Sequence, residues 1–285
     1  MTSTAGSLKR STPRAVTRAA VVTHGQPRQI GAGLARLQSV AREHGVELLF
    51  PDEEAEKHGV DPGPDTSADI AVVLGGDGTM LRALTRFLGT GIPVVGVNFG
   101  RVGFLSSMGR RELESGLARV FAGEYEVVEL PTVEVSHPEG MTRAVNDVVI
   151  ASAELGRMVE LELAVGGEHL GKQPCDGIIC STPSGSTAYN LSNGGPVLMW
   201  GLEAIALTYV APHSLHARPL VIPPGADIIV WNRSEVDVGV LVDGHLVSTL
   251  ASAARAVVRM GEEHSLLATL PEATFVRRYR QSFAS

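Results

Sequence analysis

The strongest constraint on the fold is a change in sequence pattern near Gly123. Before this residue, short apolar runs alternate with segments whose apolar residues recur at helical spacing, as at Ile30, Leu34 and Leu37. Strands that alternate with helices are typical of a mostly parallel sheet with helices on both faces. We therefore predict a Rossmann-like α/β domain in the first part of the chain.

The predicted elements of this part follow one another in regular succession. The strands are expected at 18–23, 46–50, 68–74 and 93–98, and the helices at 29–44, 80–88 and 110–121. The stretch 51–67 is acidic and interrupted by Gly and Pro, which favours a mobile surface loop.

After Gly123, short apolar runs are separated by Gly, Pro and Asn. Strands are predicted at 125–136, 143–152, 159–165, 178–182, 207–210, 227–230, 236–242 and 256–260. A single helix is predicted near 197–204. Many short strands with turn residues between them indicate an all-β domain such as a sandwich.

The same patterns suggest where the domains begin and end. We predict a disordered tail at 1–17, an α/β domain at 18–124, a β-sandwich at 125–268 and a C-terminal segment at 269–285. In the last segment Phe275, Tyr279 and Phe283 recur every four residues among arginines. This spacing predicts a short amphipathic helix or strand that packs back on the α/β domain.

Charge and cysteine content limit the class of protein. A net charge of -7 argues against a general binder of nucleic acid or anionic membranes. Cys175 and Cys180 form one pair, too few for a zinc site or a disulfide framework, so buried reduced thiols are expected. The chain shows neither a spanning run of roughly 20 apolar residues nor a secretory signal, and we expect a cytoplasmic protein.

A glycine-rich loop follows the predicted strand 68–74. It reads Gly75-Gly76-Asp77-Gly78-Thr79 and opens a helix. In an open α/β sheet, ligands bind at this end of the strands, and glycines let backbone N–H groups approach phosphate oxygens. We therefore assign Gly75, Gly76, Gly78 and Thr79 to nucleotide phosphates, although a simple glycine turn explains the loop equally well. The loop lacks the lysine of a P-loop, so a metal ion would have to neutralise the phosphates.

The run from Pro174 to Pro196 concentrates neutral hydroxyl groups around a Pro-Ser-Gly turn. Such a turn offers donors and acceptors to a polyol or a purine edge without adding charge. Alternatively, these hydroxyl groups only cap the backbone of a tight turn. A serine hydrolase is disfavoured because Thr182 stands where a nucleophile elbow needs its first glycine.

These motifs together resemble the signature of the NAD kinases. The run Ser181-Thr-Pro-Ser-Gly-Ser-Thr-Ala-Tyr189 is very similar to that family, as are the Gly75 loop and the Gly96–Leu105 segment. Asn146-Asp147 and the segments 212–221 and 242–245 also match, and all of these motifs occur along the chain in the family's order. The resemblance implies an α/β domain, a C-terminal β-sandwich and a Mg²⁺-dependent transfer of a phosphoryl group from ATP, or from polyphosphate, to the 2′-hydroxyl of the adenosine ribose of NAD. It also implies a homodimer or homotetramer.

The resemblance assigns roles to particular residues. Asp77 would be the catalytic carboxylate that takes the proton of the attacking hydroxyl or orients it and helps to hold Mg²⁺. No side chain is assigned as a direct metal ligand. The residues implied in NAD binding are Asn146, Asp147, Arg157, Asp176, Thr187, Ala188, Tyr189, Asn190, Leu191, Ser192 and Asp243.

The chain departs from the family pattern at two places. Asp147 stands where the family has Glu, so its reach is one methylene shorter, and we expect weaker or re-angled NAD binding. Pro174 and Cys175 precede Asp176 where bacterial members have Arg-Gly, and Lys172 or Arg157 would have to replace the arginine. These departures keep a non-catalytic NAD-sensing protein as an alternative. A lipid or sugar kinase that shares the Gly-Gly-Asp-Gly loop is a second alternative, disfavoured by the Ser181–Pro196 run.

Overall fold

A computed structural model describes residues 15–100, 103–154, 157–214 and 216–283. Most of the predicted tail 1–17, part of the Gly96–Leu105 segment and Leu215 lie outside the described residues. The chain divides into two compact units. We call residues Met1–Glu129 with Ser265–Ser285 the N-terminal unit, and residues Leu130–His264 the β unit.

The N-terminal unit is built on a parallel sheet. Its strands are β1 (Arg18–Thr23), β2 (Glu47–Leu49), β3 (Ile70–Gly75), β4 (Val94–Asn98) and the short β5 (Met108–Gly109). The order is β5-β4-β3-β1-β2, and every pair in it is parallel. Because β1 and β3 are apolar on both faces, they can be covered by helices on both sides.

Helices cover the two faces of this sheet. They are α1 (Pro27–Ile30), α2 (Gly33–His44), α3 (Asp52–His58), α4 (Asp77–Arg86), α5 (Leu113–Phe121) and, at the end of the chain, a helix at Phe275–Phe283. Leu37 of α2 and Leu117 of α5 pack with Val72 of β3 in one core cluster. α4 contacts β3, β4 and β1, and a Cβ atom on Gly96 of β4 would lie 2.3 Å from Met80 Sδ. The glycine therefore lets α4 approach the sheet closely.

The β unit contains two antiparallel arrays. Its strands are β6 (Glu126–His137), which begins in the N-terminal unit, β7 (Gly140–Ala144), β8 (Asp147–Ser152), β9 (Val159–Val165), β10 (Glu168–Cys175), β11 (Gly177–Ser181), β12 (Ile205–Val210), β13 (Leu220–Ile222), β14 (Ile228–Asn232), β15 (Val238–Val242), β16 (His245–Leu250) and β17 (Arg255–Thr269), which ends in the N-terminal unit. One array has the order β10-β9-β14-β17 and the other β13-β12-β11-β8-β15-β16. Leu161, Ile178, Val230 and Val240 belong to one core cluster that draws on both arrays. The predicted fold class, an α/β domain followed by a β-sandwich, is confirmed.

Several predicted elements are wrong in detail. The segment 51–67 is not a loop, because Asp52–His58 forms a helix that ends at Gly59 in a left-handed conformation and Asp65–Ser67 forms a 3-10 turn. The helix near 197–204 does not form, and short helical turns lie instead at Gly185–Thr187 and α6 (Tyr189–Ser192). The predicted helix 29–44 is interrupted at Gly31, where a positive φ of 52° ends α1.

The C-terminal segment forms the helix Phe275–Phe283, which we call α7. It belongs to the N-terminal unit. The Phe104 ring meets that of Phe275 with centroids 5.1 Å apart and that of Phe283 at 6.0 Å. The aromatic spacing left a helix or a strand open, and the structure has a helix that packs on Phe104 of the N-terminal unit. None of the helices among the described residues is long and apolar enough to cross a bilayer.

Candidate active site

The glycine loop lies at the carboxyl end of β3. Ile70–Gly75 is buried along its whole length, and the chain turns into α4 at Asp77, with Gly76 in an extended conformation as the N-cap. No heavy atom lies within 4 Å of a Cβ atom built on Gly76 or Gly78. Their backbone is therefore open to close approach by a ligand. Gly75 has a different role, because a Cβ atom there would lie 2.4 Å from Thr79 Oγ1.

Asp77 is held by the backbone of the segment that follows β4. Its Oδ2 accepts a hydrogen bond from the Phe104 N–H at 2.6 Å, and its Oδ1 accepts one from the Leu105 N–H at 3.2 Å. A Cβ atom on Gly103 would lie 2.1 Å from Oδ1, so only glycine leaves room for the carboxylate. Each oxygen keeps a further lone pair, and the carboxylate can still accept a hydroxyl proton or contact a cation.

Arg278 of α7 holds the same segment from its carbonyl side. The side chain is buried, and its Nη1 donates to the carbonyl oxygens of Phe104, at 2.8 Å, and Ser106. Its Nη2 also donates to Thr269 Oγ1 at 2.8 Å. Burial lowers the pKa of Arg278 to about 10, which the nearby Asp77 charge partly offsets. The guanidinium stays charged at neutral pH.

Sequence reasoning did not assign Arg278 to the site. The cluster of arginines among aromatic residues at 275–283 signalled docking of this segment. It did not reveal which arginine is buried, because Arg277, Arg278 and Arg280 look alike in the sequence. Only the direction in which α7 packs separates them.

In the β unit, Asp243 organises the turn between β7 and β8. It lies in the hairpin between β15 and β16 with a positive φ of 48°. Its carboxylate accepts hydrogen bonds from the backbone N–H groups of Val145 at 2.9 Å, Asn146 at 2.8 Å and Asp147 at 3.2 Å. Its observed role is to fix the positions of Asn146 and Asp147.

Asn146 packs against the hydroxyl-rich run. Its backbone oxygen accepts the Thr182 N–H at 2.9 Å, and its Oδ1 accepts the Ser184 hydroxyl at 3.3 Å. A Cβ atom on Gly185 would lie 2.1 Å from the Asn146 oxygen, so the glycine permits this close contact. The family-like pair and the family-like run therefore form one local structure, although they are far apart in sequence.

Asp147 has an unusual electrostatic environment. The residue is only 7% exposed and starts β8, where it lies opposite Ser181 of β11. Burial and the neighbouring Asp243 charge raise the pKa of Asp147 to about 7. Near neutral pH its carboxyl group can therefore both donate and accept a hydrogen bond.

Much of the hydroxyl-rich run is used inside the fold. Ser186 Oγ donates to Pro183 O at 2.7 Å and accepts from Leu198 N at 3.0 Å. Asn190 is fully buried, and its Nδ2 donates to Ser186 O and Pro196 O while its Oδ1 accepts from Thr208. These side chains shape the turn. The members of the predicted NAD set that keep some exposure here are Thr187, Ala188, Tyr189, Leu191 and Ser192.

Two further predicted NAD residues lie elsewhere in the β unit. Arg157 is half exposed and forms an ion pair with Glu154 at 2.9 Å. Lys172, considered as a substitute for the missing arginine, pairs with Glu160 at 2.9 Å. Asp176 is half-buried between β10 and β11. The structure therefore joins Asn146, Asp147 and Asp243 in one cluster but does not show Arg157 or Lys172 in it.

Comparison with known proteins identifies the family. The family model for the ATP-NAD kinase N-terminal domain matches residues 6–125, and the one for the ATP-NAD kinase C-terminal domain matches residues 145–270. An NAD kinase of Gemmatimonas aurantiaca is 41% identical over 76% of this chain and 77% of its own length. The chain belongs to the NAD kinase family. NAD kinase 2 of Streptomyces avermitilis is 36% identical over 95% of this chain and 91% of its own length. The predicted family and the prediction of a kinase that phosphorylates NAD are confirmed.

Solved structures of the family share the fold. Yeast NADH kinase complexed with NADH matches with a TM-score of 0.84, at 24% identity, over 95% of this chain and 88% of that chain. An NAD kinase from Archaeoglobus fulgidus in complex with ATP matches with a TM-score of 0.74, at 27% identity, over 94% of this chain and 98% of that chain. The first of these likenesses concerns the fold alone.

The pKa of Asp147 predicts a specific dependence of stability on pH. As the pH rises from about 4 to about 7, the unfolded chain releases the Asp147 proton while the folded chain keeps it. The wild type should therefore lose stability relative to Asp147→Asn across this window, and the difference should become constant at higher pH. Urea denaturation of both proteins at several pH values measures it.

Asp237→Asn, at an exposed position of the β unit, serves as the control and should show no such trend. A stability difference between wild type and Asp147→Asn that stays constant from pH 4 to pH 8 would contradict the raised pKa.

Proposed function

We propose that this chain transfers the γ-phosphoryl group of ATP to the 2′-hydroxyl of the adenosine ribose of NAD, giving NADP and ADP. The observation that carries the chemistry is the Asp77 carboxylate, fixed by two backbone N–H groups beside a glycine loop open to phosphates. Family membership supports the choice of substrates, and the geometry supports the proposed residue roles.

Asp77 is proposed as the general base. As the ribose oxygen forms its bond to the γ-phosphorus, Asp77 accepts the hydroxyl proton, and the bond between the γ-phosphorus and the bridging oxygen of ADP breaks. The amides of Phe104 and Leu105 aim the carboxylate and limit its motion, which reduces the entropy lost on reaching the transition state. The N–H groups of the glycine loop would contact the donor's phosphates.

A divalent cation, most simply Mg²⁺, is proposed as the cofactor. No group of three or more His, Cys, Asp or Glu residues that could hold a metal ion is found in the described part of the chain. A site made of one carboxylate and substrate phosphates still fits, because Mg²⁺ in such enzymes takes one or two carboxylates and keeps several waters. Asp77 has the lone pairs for this contact. The bound ion would neutralise phosphate charge that the loop, without a lysine, cannot.

For NAD, we propose that Asn146 and Asp147 contact the adenosine half, together with the exposed positions of the Thr187–Ser192 segment. Asp243 supports this contact by holding the three backbone N–H groups of the turn. Asp176 is proposed to meet the nicotinamide end, and Arg157 could contact NAD only after its ion pair with Glu154 breaks.

We also propose polyphosphate as an alternative donor, a homodimer or homotetramer, and a cytoplasmic location. The reduced, buried Cys175 and Cys180 fit the last of them.

The proposal predicts that Asp77→Asn abolishes most NADP formation. Asparagine keeps the size of the side chain but cannot accept the proton, so the rate should fall by about 10²- to 10⁴-fold. The assay incubates the protein with NAD, Mg²⁺ and either ATP or polyphosphate, and reads NADP with an NADP-dependent dehydrogenase. Isothermal titration of NAD into the variant serves as the control for binding.

Retained NAD binding with lost turnover is the expected result. Turnover by Asp77→Asn at the wild-type rate would remove Asp77 as the base. A wild type that binds NAD but makes no NADP from either donor would favour the NAD-sensing alternative.

The shorter carboxylate at Asp147 predicts a second outcome. Asp147→Glu restores the family's residue and extends the reach by one methylene, so we expect a lower KM for NAD with little change in the KM for ATP. Steady-state kinetics with each substrate varied in turn measures both constants. Asp237→Glu at an exposed site is the matched control. An unchanged KM for NAD in Asp147→Glu would show that the length of this side chain does not limit binding.

A further inference from the structure

A pocket of about 860 Å³ lies within the N-terminal unit. The described residues of its walls come from 98–100, from 103–112, from α5 and from 270–281, which includes part of α7. Its volume lies in the range of small-molecule sites. None of the residues Gly75–Thr79 lines it, although Phe99 of its lining donates its N–H to Gly75 O at 3.3 Å, so the pocket lies next to the loop proposed for the reacting phosphates.

The pocket is basic in an acidic protein. Its lining includes two glutamates, Glu112 and Glu272, and five arginines, which are Arg110, Arg111, Arg119, Arg277 and Arg278. Among the residues that the structure describes, the lining thus carries an excess of three positive charges, whereas the whole chain carries -7. A concave surface lined by one sign of charge concentrates ligands of the opposite sign.

Both acidic side chains are already engaged. Glu112 Oε2 accepts the Gly109 N–H at 2.9 Å, at the start of the turn that leads into α5. Glu272 forms an ion pair with Arg119 at 2.6 Å, and Arg119 also pairs with Glu124. The two carboxylates of the pocket are therefore already bound, one to the Gly109 backbone N–H and the other to Arg119.

Three of the described arginines are not held in an ion pair, although the Arg277 charge contributes to lowering the pKa of Glu272. Within the described part of the chain, Arg110, Arg111 and Arg277 form no ion pair. Arg110 lies over the Phe99 ring at 5.7 Å, and Arg277 Nη1 donates only to the Glu272 carbonyl at 3.4 Å. Guanidinium groups are planar forks that bind phosphate oxygens in pairs, and they lose less hydration than ammonium groups when they do so.

We propose that this pocket binds the phosphate chain of a small polyanion, from a nucleoside triphosphate or from inorganic polyphosphate, as a second site beside the one for the reacting substrates. A triphosphate carries enough negative charge to match the guanidiniums of Arg110, Arg111 and Arg277, and the volume admits a nucleotide. That the site is a second one rests on the proposed function of the Gly75–Thr79 loop.

The pocket adjoins the support of Asp77. Gly103 and Arg278 line it, and both belong to the contacts that fix the Asp77 carboxylate. An anion bound in the pocket would therefore lie against the segment that positions the proposed base. A bound anion would therefore act on the position of Asp77 through this segment, without contact with the substrates.

The test is a titration of inorganic tripolyphosphate into the whole protein by calorimetry, without NAD. The pocket variant is Arg110→Ala/Arg277→Ala. The matched control is Arg28→Ala/Arg42→Ala, which removes two exposed arginines of the same unit outside the pocket. We expect binding to weaken at least tenfold in the pocket variant and to stay within twofold in the control. The KM for ATP should stay within twofold in both.

No binding by the wild type at millimolar tripolyphosphate would overturn the proposal, and so would equal weakening in the control, which would indicate general charge attraction. A KM for ATP that rises together with the loss of tripolyphosphate binding would make the pocket the donor's own site. The titration is repeated with a non-hydrolysable ATP analogue to separate a nucleotide from inorganic polyphosphate as the ligand. The true ligand is the one whose affinity falls more from the wild type to the pocket variant. Binding needs no turnover, so a failure of the proposed kinase activity would leave this result interpretable.

Discussion

The N-terminal unit depends on one ionic and hydrogen-bonded arrangement around the segment Gly103–Ser106. Asp77 accepts two of its backbone N–H groups, and Arg278 donates to two of its carbonyl oxygens. Hydrogen bonds to a charged group are stronger than those between neutral groups, and burial strengthens those of Arg278 further. The opposite charges of Asp77 and Arg278 thus hold one short segment from its two sides.

The β unit uses a similar device for a different purpose. Asp243 collects three backbone N–H groups of the turn that carries Asn146 and Asp147. The Asp243 charge, together with burial, raises the pKa of Asp147. Two carboxylates in different environments therefore lie side by side. Asp243 accepts hydrogen bonds from the turn, and Asp147 is buried with a pKa raised to about 7.

The sequence was sufficient for the family and the fold class. The Gly75–Thr79 loop and the Ser181–Pro196 run are long, ordered patterns, and strand and helix periodicity separated the two architectures. The sequence did not show which role a residue has when the same residue type can serve either the fold or a ligand. Nothing in the sequence separates a buried Asn190 that ties a turn together from an exposed residue that could meet a ligand, and the basic pocket joins arginines from α5 and α7 that are over 150 residues apart.

The errors in the secondary structure have physical causes. Charge at 52–58 suggested a loop, but three acidic residues in the first turn and Lys57 and His58 in the last turn suit the dipole of a short helix. Conversely, the apolar residues at 197–204 do not form a helix. Leu198 instead donates its backbone N–H to Ser186 Oγ at 3.0 Å, and Leu202 N–H closes a turn on Met199 O at 3.2 Å.

The most direct test of the central arrangement is the turnover number of Gly103→Ala. The added methyl group would lie 2.1 Å from Asp77 Oδ1 and must displace the carboxylate, whereas Gly25→Ala adds a methyl group with no atom within 4 Å. If the position of Asp77 governs the reaction, kcat should fall at least tenfold in Gly103→Ala, with the KM for NAD little changed and Gly25→Ala like the wild type. A folded Gly103→Ala protein with wild-type kcat would contradict the claim that this segment fixes the reacting carboxylate.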